Sequence, residues 1–384
     1  MTAHGEAGLR RSEQRGLVLA FLVFGVFWGA WAASLPAIRH QVGASDGQLG
    51  LALAAIALSA VPVMPVAGRI VDRYGADRAL PASMLLFAVT IPLPALAHSL
   101  GALVLALVLV GVGTGALDLI ANAATAAWER VERGKLMSVV HAAFSAGVLV
   151  GSVSAGLARE GGASPLLILS GVAVATAVVG VAQPPYRRAP AEEAAPKGRL
   201  PWFLVGIGLL TAGAFLCEDA IQSWSSLQLE RGLDASPAIS GLGPGLFAGS
   251  MAVGRLAGGA VANRIRDSVL LGAAAVTLAI GAVVVAVAGS PAIALVGLVV
   301  AGAGTSVLAP VLYSAVGAHA APGRQGADLA AVAVVGYVGF VAGPPLVGAI
   351  SAATSLPFAL GCLGGVGLLI AVTGPLLLSG KMSA

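Results

Sequence analysis

Four titratable residues lie inside long apolar stretches of the chain, where proton transfer would account for their presence: Asp118, Glu218, Asp219 and His141. A carboxyl group at the centre of a bilayer costs roughly 2.5–3.5 kcal/mol on insertion scales, so such residues usually face a cavity and serve a function. A histidine near a carboxylate titrates around physiological pH and can relay protons. We therefore predict these four residues as proton-coupling groups. The alternatives are acids that only pair with a neighbouring helix and a histidine that only bonds a serine.

Helical spacing places other polar and aromatic side chains beside these residues. Asp118 and Asn122 are four residues apart, as are Glu218 and Gln222, so each pair shares one helical face. Tryptophans at mid-depth could stack on a sugar-like or amphipathic ligand, and bulky packing between helices would explain them equally well. The longest polar stripe consists of Thr114, Asp118, Asn122, Thr125 and Glu129. The predicted substrate-binding residues are Trp28, Trp31, Asn122, His141, Glu218, Gln222 and Trp224.

Composition indicates the elements that must hold these side chains. The 384 residues are 58% hydrophobic and only 10% charged, whereas a soluble domain has about 25% charged residues. The mean hydropathy is +0.95, and apolar runs long enough to span about 30 Å of hydrocarbon recur along the chain. The 53 glycines suit helices that approach closely. The sequence therefore predicts an all-α membrane protein, with Cys217 and Cys362 as packing residues.

Twelve membrane spans are predicted, six on each side of one polar stretch. That stretch, PPYRRAPAEEAAPKGRLP, is rich in proline, alanine and charge and has the composition of a linker. The predicted domains are residues 1–183, a cytoplasmic linker at 184–200, and residues 201–384. The spans are 17–38, 48–70, 79–97, 101–127, 136–158, 164–183, 201–229, 238–262, 268–288, 291–317, 327–352 and 356–378.

The basic residues predict the orientation of these spans. Of the 21 lysines and arginines, all but Arg39, Arg159 and Arg231 fall in alternate segments. Because cytoplasmic segments are enriched in basic residues, both termini and the linker are predicted to be cytoplasmic. Arg255 lies nine residues, or roughly 13 Å, along span 8 from Arg264, so we expect it to reach the cytoplasmic surface, with aspartates in the cavity as the alternative partners.

The two halves repeat one another. Asp72-Arg73 matches Asn263-Arg264 at an offset of 191, and Gly147 and Gly151 match Gly339 and Gly343 at 192. Gly113 and Gly115 also match Gly302 and Gly304 at 189, and Trp31 matches Trp224 at 193. An even number of spans separates the members of each pair, so the halves should be two six-helix bundles in the same orientation.

The segment GRIVDRYGADR, Gly68 to Arg78, is a short charged hairpin between spans 2 and 3. Its pattern Gly-x-x-x-Asp-Arg-Tyr-Gly with a further Arg resembles the corresponding loop of the major facilitator superfamily of transporters. That resemblance implies a gating role for Gly68, Asp72, Arg73, Gly75 and Arg78, although Ala76 and Asp77 replace residues that are often basic. In span 11, Gly339, Gly343 and Pro344 predict a close-packed, bendable helix that would also serve gating.

Four other segments resemble the rhizopine-transporter-like (MosC-like) branch: WGAWAASLPAIR, GTGALDLIANAATAAWE, HAAFSAGVLVG and CEDAIQSW. The resemblance implies a proton-coupled secondary transporter of the inner membrane that moves a small polar solute, such as a sugar or polyol derivative, by alternating access. Drug-exporting branches typically carry an arginine early in span 4 and Gly-Pro in span 5, which this chain lacks.

The alternatives are a multidrug or metabolite exporter of the same fold and a transporter-like sensor that moves no solute. No phosphate-binding loop and no His-Glu-x-x-His or Gly-x-Ser-x-Gly motif occurs, so neither ATP-driven transport nor an enzyme is expected. The expected partners are the lipid bilayer, a small-molecule substrate and protons. We expect no cofactor, no metal, no nucleic acid and a monomeric chain.

Overall fold

A computed structural model describes residues 3–132, 135–186, 201–261, 264–319 and 325–379. The regular structure of these residues is α-helical, with one 3₁₀ turn at Leu93–Leu96 and one π turn at Gln228–Gly232. The helices are α1 Ala3–Val42, α2 Asp46–Tyr74, α3 Ala76–Thr90, α4 Leu100–Glu132, α5 Met137–Glu160, α6 Pro165–Val181, α7 Trp202–Leu227, α8 Pro237–Val261, α9 Asp267–Val287, α10 Pro291–Thr305, α11 Leu308–His319, α12 Gln325–Ala353 and α13 Leu356–Leu378.

Each of the twelve predicted spans coincides with helix, and the all-α prediction is confirmed. Ten helical stretches of the described chain are long and apolar enough to cross a membrane, and the shorter α6 is also apolar. Two predicted spans are interrupted. The third ends as an α-helix at Thr90 and is followed by the 3₁₀ turn Leu93–Leu96, and the tenth is broken into α10 and α11 at Ser306–Val307. Pro310 has no N–H to donate to the Ser306 carbonyl, which removes the hydrogen bond that would carry the helix across this point.

The chain divides into two compact units. The first comprises Met1–Ala44 and Ala55–Glu192, and the second comprises Ser45–Ala54 and Glu193–Ala384. Residues 187–200, most of the predicted linker, lie outside the described residues. The preceding residues are packed: Tyr186 is buried, and its hydroxyl donates a 2.6 Å hydrogen bond to Gln183 Oε1. Burial, with the Glu13 carboxylate nearby, raises the pKa of Tyr186 above its usual value.

Glycines fix the packing of α1 against α5 in the first unit. A side chain at Gly147 would overlap the Leu22 carbonyl oxygen, and one at Gly151 would overlap the Val26 carbonyl oxygen. On the opposing helix, Gly25 meets the Phe144 carbonyl and Gly29 meets the Val148 carbonyl in the same way. Because lipid is as apolar as the side chains, helices in a membrane associate through such close backbone packing.

The second unit repeats this contact between α7 and α12. A side chain at Gly339 would overlap the Ala212 carbonyl oxygen, and a Cβ at Gly343 would lie 2.9 Å from the Leu216 carbonyl oxygen. Gly147 and Gly339 therefore occupy equivalent positions, as the sequence predicts. The smooth glycine face of predicted span 11 is a surface of tight helix contact.

Two of the predicted repeat matches are wrong. A side chain at Gly302 would overlap the Phe247 carbonyl and Ser250, and one at Gly111 would overlap the equivalent Ile56 carbonyl and Ser59. Gly302 is therefore the counterpart of Gly111, at an offset of 191. Leu22 corresponds to Ala212 at an offset of 190, which pairs Trp31 with Ile221 instead of Trp224. Because Gly111, Gly113 and Gly115 are evenly spaced, the offsets 189 and 191 both align glycine with glycine, and the sequence alone does not distinguish them.

The start of α2 belongs to the second unit. The Asp46 carboxylate accepts a 2.7 Å hydrogen bond from Arg231 Nη1 and another of 2.7 Å from the Ser351 hydroxyl. One turn later, a Cβ at Gly50 would lie 2.6 Å from the Pro344 carbonyl oxygen. An ion pair, a hydroxyl and a close glycine contact thus hold residues Ser45–Ala54 within that unit.

The hairpin between α2 and α3 turns at a single residue. Gly75 has φ 83° and ψ 159° and precedes the first residue of α3. Its N–H donates to the Val71 carbonyl at 2.8 Å, and its carbonyl accepts from the Ala79 N–H at 3.1 Å. This backbone conformation is essentially restricted to glycine. Gly68 lies inside α2, where an added Cβ would meet only Leu119 at an ordinary 3.5 Å.

The two glycines of the hairpin should therefore respond differently to alanine. Gly75→Ala should lower the free energy of unfolding by roughly 1–3 kcal/mol because its φ and ψ disfavour any side chain. Gly68→Ala should be neutral or slightly stabilising, since alanine is the better helix former. Unfolding of the purified variants in detergent measures both. Equal stability of the two variants would contradict the strained turn.

Candidate functional site

Asp118 and Asn122 form one polar pair in the middle of α4. The Asn122 side-chain amide donates to Asp118 Oδ1 at 3.0 Å and to the Asp118 carbonyl at 2.8 Å. Both side chains are partly exposed, unlike Thr114 and Thr125 of the same stripe, whose hydroxyls are buried and donate to backbone carbonyls one turn earlier. Of these four residues, only Asp118 and Asn122 are accessible to a solute or a proton.

Glu129, the last member of the predicted stripe, has a structural role. Its Oε1 accepts hydrogen bonds from the backbone N–H groups of Leu136 and Met137, the latter at 2.7 Å. These donors lie at the start of α5 and have no partner within that helix. Glu129, near the end of α4, thus caps the start of α5.

The predicted aromatic and histidine residues of the first unit have different environments. The His141 ring packs edge-on to Phe21 at 5.3 Å, and Trp28 packs edge-on to Phe27 at 5.3 Å. Both side chains are partly exposed. Trp31 is only 2% exposed, which favours a packing role over ligand contact.

The charged residues of the predicted gate lie on the surface of the first unit. Asp72, Arg73 and Arg78 are exposed, and the Arg73 guanidinium lies 5.4 Å from the centre of the Tyr74 ring. Gly75 is buried within the turn. The hairpin therefore presents its charges outward from a rigid turn. The other predicted gate residues, Gly339, Gly343 and Pro344, lie in the α7–α12 and α2–α12 contacts described above.

An ion pair occupies the middle of the second unit. Arg255 Nη2 of α8 lies 3.6 Å from Glu218 Oε1 of α7, and the two side chains are 31% and 23% exposed. The sequence-based expectation that Arg255 reaches the cytoplasmic surface is therefore wrong. The ion pair is favoured over extension to the surface because Glu218, on the adjacent helix, stabilises the guanidinium directly. Reaching the surface would require the side chain to extend past a turn of apolar residues.

Asp219 lies next to this pair and differs from it. Within the described part of the chain, Asp219 has no hydrogen bond or ion pair, and it is close enough to Glu218 to feel its charge. Gln222 is partly exposed one turn after Glu218 on the same face. Trp224 is completely buried, and its indole Nε1 has no hydrogen-bond partner among the described residues, so packing is its favoured role.

Four aromatic rings cluster around Phe215 of α7, one helical turn before Asp219, and sequence reasoning missed all of them. Phe215 of α7 stacks on Phe340 of α12 with ring centres 4.4 Å apart and planes inclined by 18°. Tyr313 and Tyr337 lie 6.5 and 6.4 Å from Phe215. We call Phe215, Tyr313, Tyr337 and Phe340 the aromatic cluster. Phe215 precedes Asp219 by four residues, so the cluster and the carboxylate share one face of α7.

The halves differ at these charged positions. By the offsets given above, Asp118 corresponds to Ala309, Glu218 to Trp28, Asp219 to Gly29 and Arg255 to Met64. Every charge thus has an uncharged counterpart in the other unit. The repeat architecture therefore does not require these charges, which points to roles beyond folding.

Comparison with known proteins agrees with this architecture. The family model described as Major Facilitator Superfamily matches residues 17–266 and 207–381. The chain belongs to the Major Facilitator Superfamily. It is therefore a multi-pass membrane transporter and not an enzyme.

Other members of the superfamily match almost the whole chain. An uncharacterised transporter of Yersinia pestis is 29% identical over 360 residues, covering 92% of each chain. Membrane protein MosC of Rhizobium meliloti is 27% identical over 359 residues, covering 91% of this chain and 86% of its own. The crystal structure of a D-xylose–proton symporter matches with a TM-score of 0.76 at 15% identity, covering 95% of this chain and 97% of the symporter chain. The predicted family and its MosC-like branch are confirmed.

The contribution of the Glu218–Arg255 ion pair to the free energy of unfolding can be measured. Glu218→Gln and Arg255→Gln should each destabilise the protein, because each leaves a charge without its partner. The double variant should be more stable than the two single effects predict, by a coupling free energy on the order of 1 kcal/mol, given the partial exposure of both side chains. Unfolding of the four proteins in detergent gives this value.

The Arg10–Glu132 pair provides the control. Its atoms are closer, at 2.9 Å, but the Arg10 side chain is 51% exposed, so solvent should screen it to a smaller coupling energy. Additive effects of the two substitutions at Glu218 and Arg255 would show that the pair contributes nothing to stability.

Proposed function

We propose that this transporter moves a small polar solute, such as a sugar or polyol derivative, across the inner membrane by alternating access and couples that movement to protons. The observation that carries the proposal is the presence of membrane-embedded acids in each unit, Asp118 in one and Glu218 and Asp219 in the other, with no acid at the equivalent repeat positions. Such residues usually serve substrate or ion pathways. The resemblance to the MosC-like branch and the fold shared with a D-xylose–proton symporter support this class of cargo.

Asp118 is the proposed coupling residue of the first unit. Its carboxyl is partly exposed and accepts a hydrogen bond from Asn122, so it can exchange protons without leaving a buried polar atom unsatisfied. A group that meets water on one side and apolar surroundings on the other binds and releases a proton as its environment alternates. His141 is the second proton carrier of this unit. Trp28, Asn122, His141, Glu218 and Gln222 are the proposed solute contacts.

Transport by reconstituted protein tests the coupling. Proteoliposomes with an imposed pH gradient would be incubated with a small-molecule extract of bacterial cells, and retained solutes would be identified by mass spectrometry against protein-free liposomes. Asp118→Asn keeps the size and the hydrogen bond but cannot ionise. It should abolish gradient-driven accumulation while exchange at equal concentrations continues.

The exposed Asp267→Asn, at the first residue of α9, is the matched control and should accumulate solutes normally. If Asp118→Asn accumulates solute against a gradient with intact proton movement, the coupling residue lies elsewhere. A wild-type protein that retains no solute would instead remove the transport proposal and favour a sensor.

The proposed orientation places both termini and the charged hairpin in the cytoplasm, where the hairpin acts as a gate. Four exposed charges flank its rigid turn and suit reversible electrostatic contacts: Arg69, Asp72, Arg73 and Arg78. The asymmetric distribution of lysine and arginine supports the orientation.

Cysteine labelling tests the orientation and the gate together. In a chain lacking Cys217 and Cys362, an impermeant thiol reagent added to whole cells should label Ala163→Cys and leave Arg78→Cys unlabelled. Inverted vesicles should show the reverse. If the hairpin gates transport, the rate of labelling at position 78 should change when a pH gradient is imposed. A constant rate would reduce the hairpin to a topological anchor, and labelling of position 78 in whole cells would invert the orientation.

A further inference from the structure

The charges embedded in the second unit do not balance. Arg255 neutralises one carboxylate, Glu218, at 3.6 Å. Asp219 remains, with no hydrogen bond or ion pair among the described residues. Among the described residues, Glu218 of α7, Arg255 of α8 and Tyr313 of α11 interact at this centre, and Tyr337 of α12 belongs to the adjoining aromatic cluster. Two acids therefore share one base, and the tyrosines add no positive charge at neutral pH.

A carboxylate inside the membrane that lacks a countercharge is costly, and the cost falls when a cation joins it. The site is thus one positive charge short when Asp219 is ionised. A solute that carried an anion would add to this excess, and a neutral solute would leave it unchanged. A proton on Asp219 would remove the excess without any solute, and among solutes only one with a positively charged group restores the balance.

The aromatic cluster is a second and independent observation that points the same way. Aromatic faces attract cations, most strongly where water is excluded, and clustered rings are the usual receptors for ammonium groups. All four rings are partly exposed, in contrast to Phe24, Phe27 and Phe87 of the first unit, which are buried in its core. The rings of the second unit therefore present a surface that a ligand can contact.

The geometry joins the two features. Phe215 lies one helical turn before Asp219 on the same face of α7, and its ring stacks on Phe340 at 4.4 Å. A primary or quaternary ammonium group could meet the carboxylate with its charge and the rings with its methylene or methyl surface. A hydrophobic core would not require the adjacent acid, and a proton site would not require the rings.

We propose that Asp219 and the aromatic cluster bind the positively charged, ammonium-type group of the transported solute. This inference rests on the proposed transport function and adds the charge class of the cargo. Glu218 and Arg255 then act as a neutral pair that holds the neighbouring wall, and Asp219 supplies the countercharge.

Sorting the accumulated solutes by charge tests this proposal. In the extract experiment described above, the solutes retained by the wild-type protein should be cations, and Asp219→Asn should lose them while Asp267→Asn keeps them. Retention of neutral or anionic solutes alone would overturn the assignment and leave the transport proposal intact. No retention of any solute would overturn the transport proposal itself.

Chemical protection tests the site directly in purified protein. A hydrophobic carbodiimide should modify Asp219, as identified by peptide mass spectrometry, and choline should slow that modification. The neutral carbon isostere of choline, 3,3-dimethylbutan-1-ol, should not. Equal protection by both compounds, or by neither, would overturn the proposal.

The rings can be separated from the charge by substitution. Phe340→Leu keeps an apolar side chain but removes the π face, and it should raise the choline concentration needed for protection by roughly three- to thirty-fold. Phe358→Leu, at an exposed ring near the start of α13, is the control and should leave that concentration unchanged. Unchanged protection in Phe340→Leu would show that the cluster only packs.

Discussion

The fold depends on the close approach of helix backbones at glycine. In lipid, apolar side chains gain little by leaving one hydrocarbon environment for another, so helices associate where small residues let their backbones touch. Gly147 and Gly151 provide this contact in the first unit, and Gly339 and Gly343 provide it in the second. The helices that carry the predicted site, α1 and α7, are each fixed by these contacts. The positions of Trp28 and Glu218 follow from them.

Charge is distributed over this repeated frame without symmetry. The hydrocarbon penalises each embedded charge, so a residue retained there must have a partner, a solvent path or a ligand. Glu218 has Arg255 and Asp118 has Asn122. The duplicated architecture thus supplies two similar supports, and substitution at a few inward positions gives the halves different chemistry.

The sequence was sufficient to predict the spans, the repeat and the family, because apolar length and glycine spacing are local properties of the chain. It was insufficient where the answer depended on a neighbouring helix. Arg255 could reach either the surface or Glu218, and only the packing of α8 on α7 decides between them. Phe340 lies far from Phe215 in sequence, so nothing local indicated that their rings stack. The glycines at 111, 113 and 115 are spaced by two residues, which allowed a match displaced by two.

The interruption between α10 and α11 constrains how this chain can diverge. Gly254 of α8 lies against Ser306 with no room for a side chain, and Gly258 lies against Val307 in the same way. A larger residue on one side of this joint therefore fits only if the residue opposite becomes smaller. Positions 254 and 306 should vary together among descendants of this chain, as should 258 and 307. The close contact between α8 and the break at residues 306–307 would then be preserved even where the individual residues change.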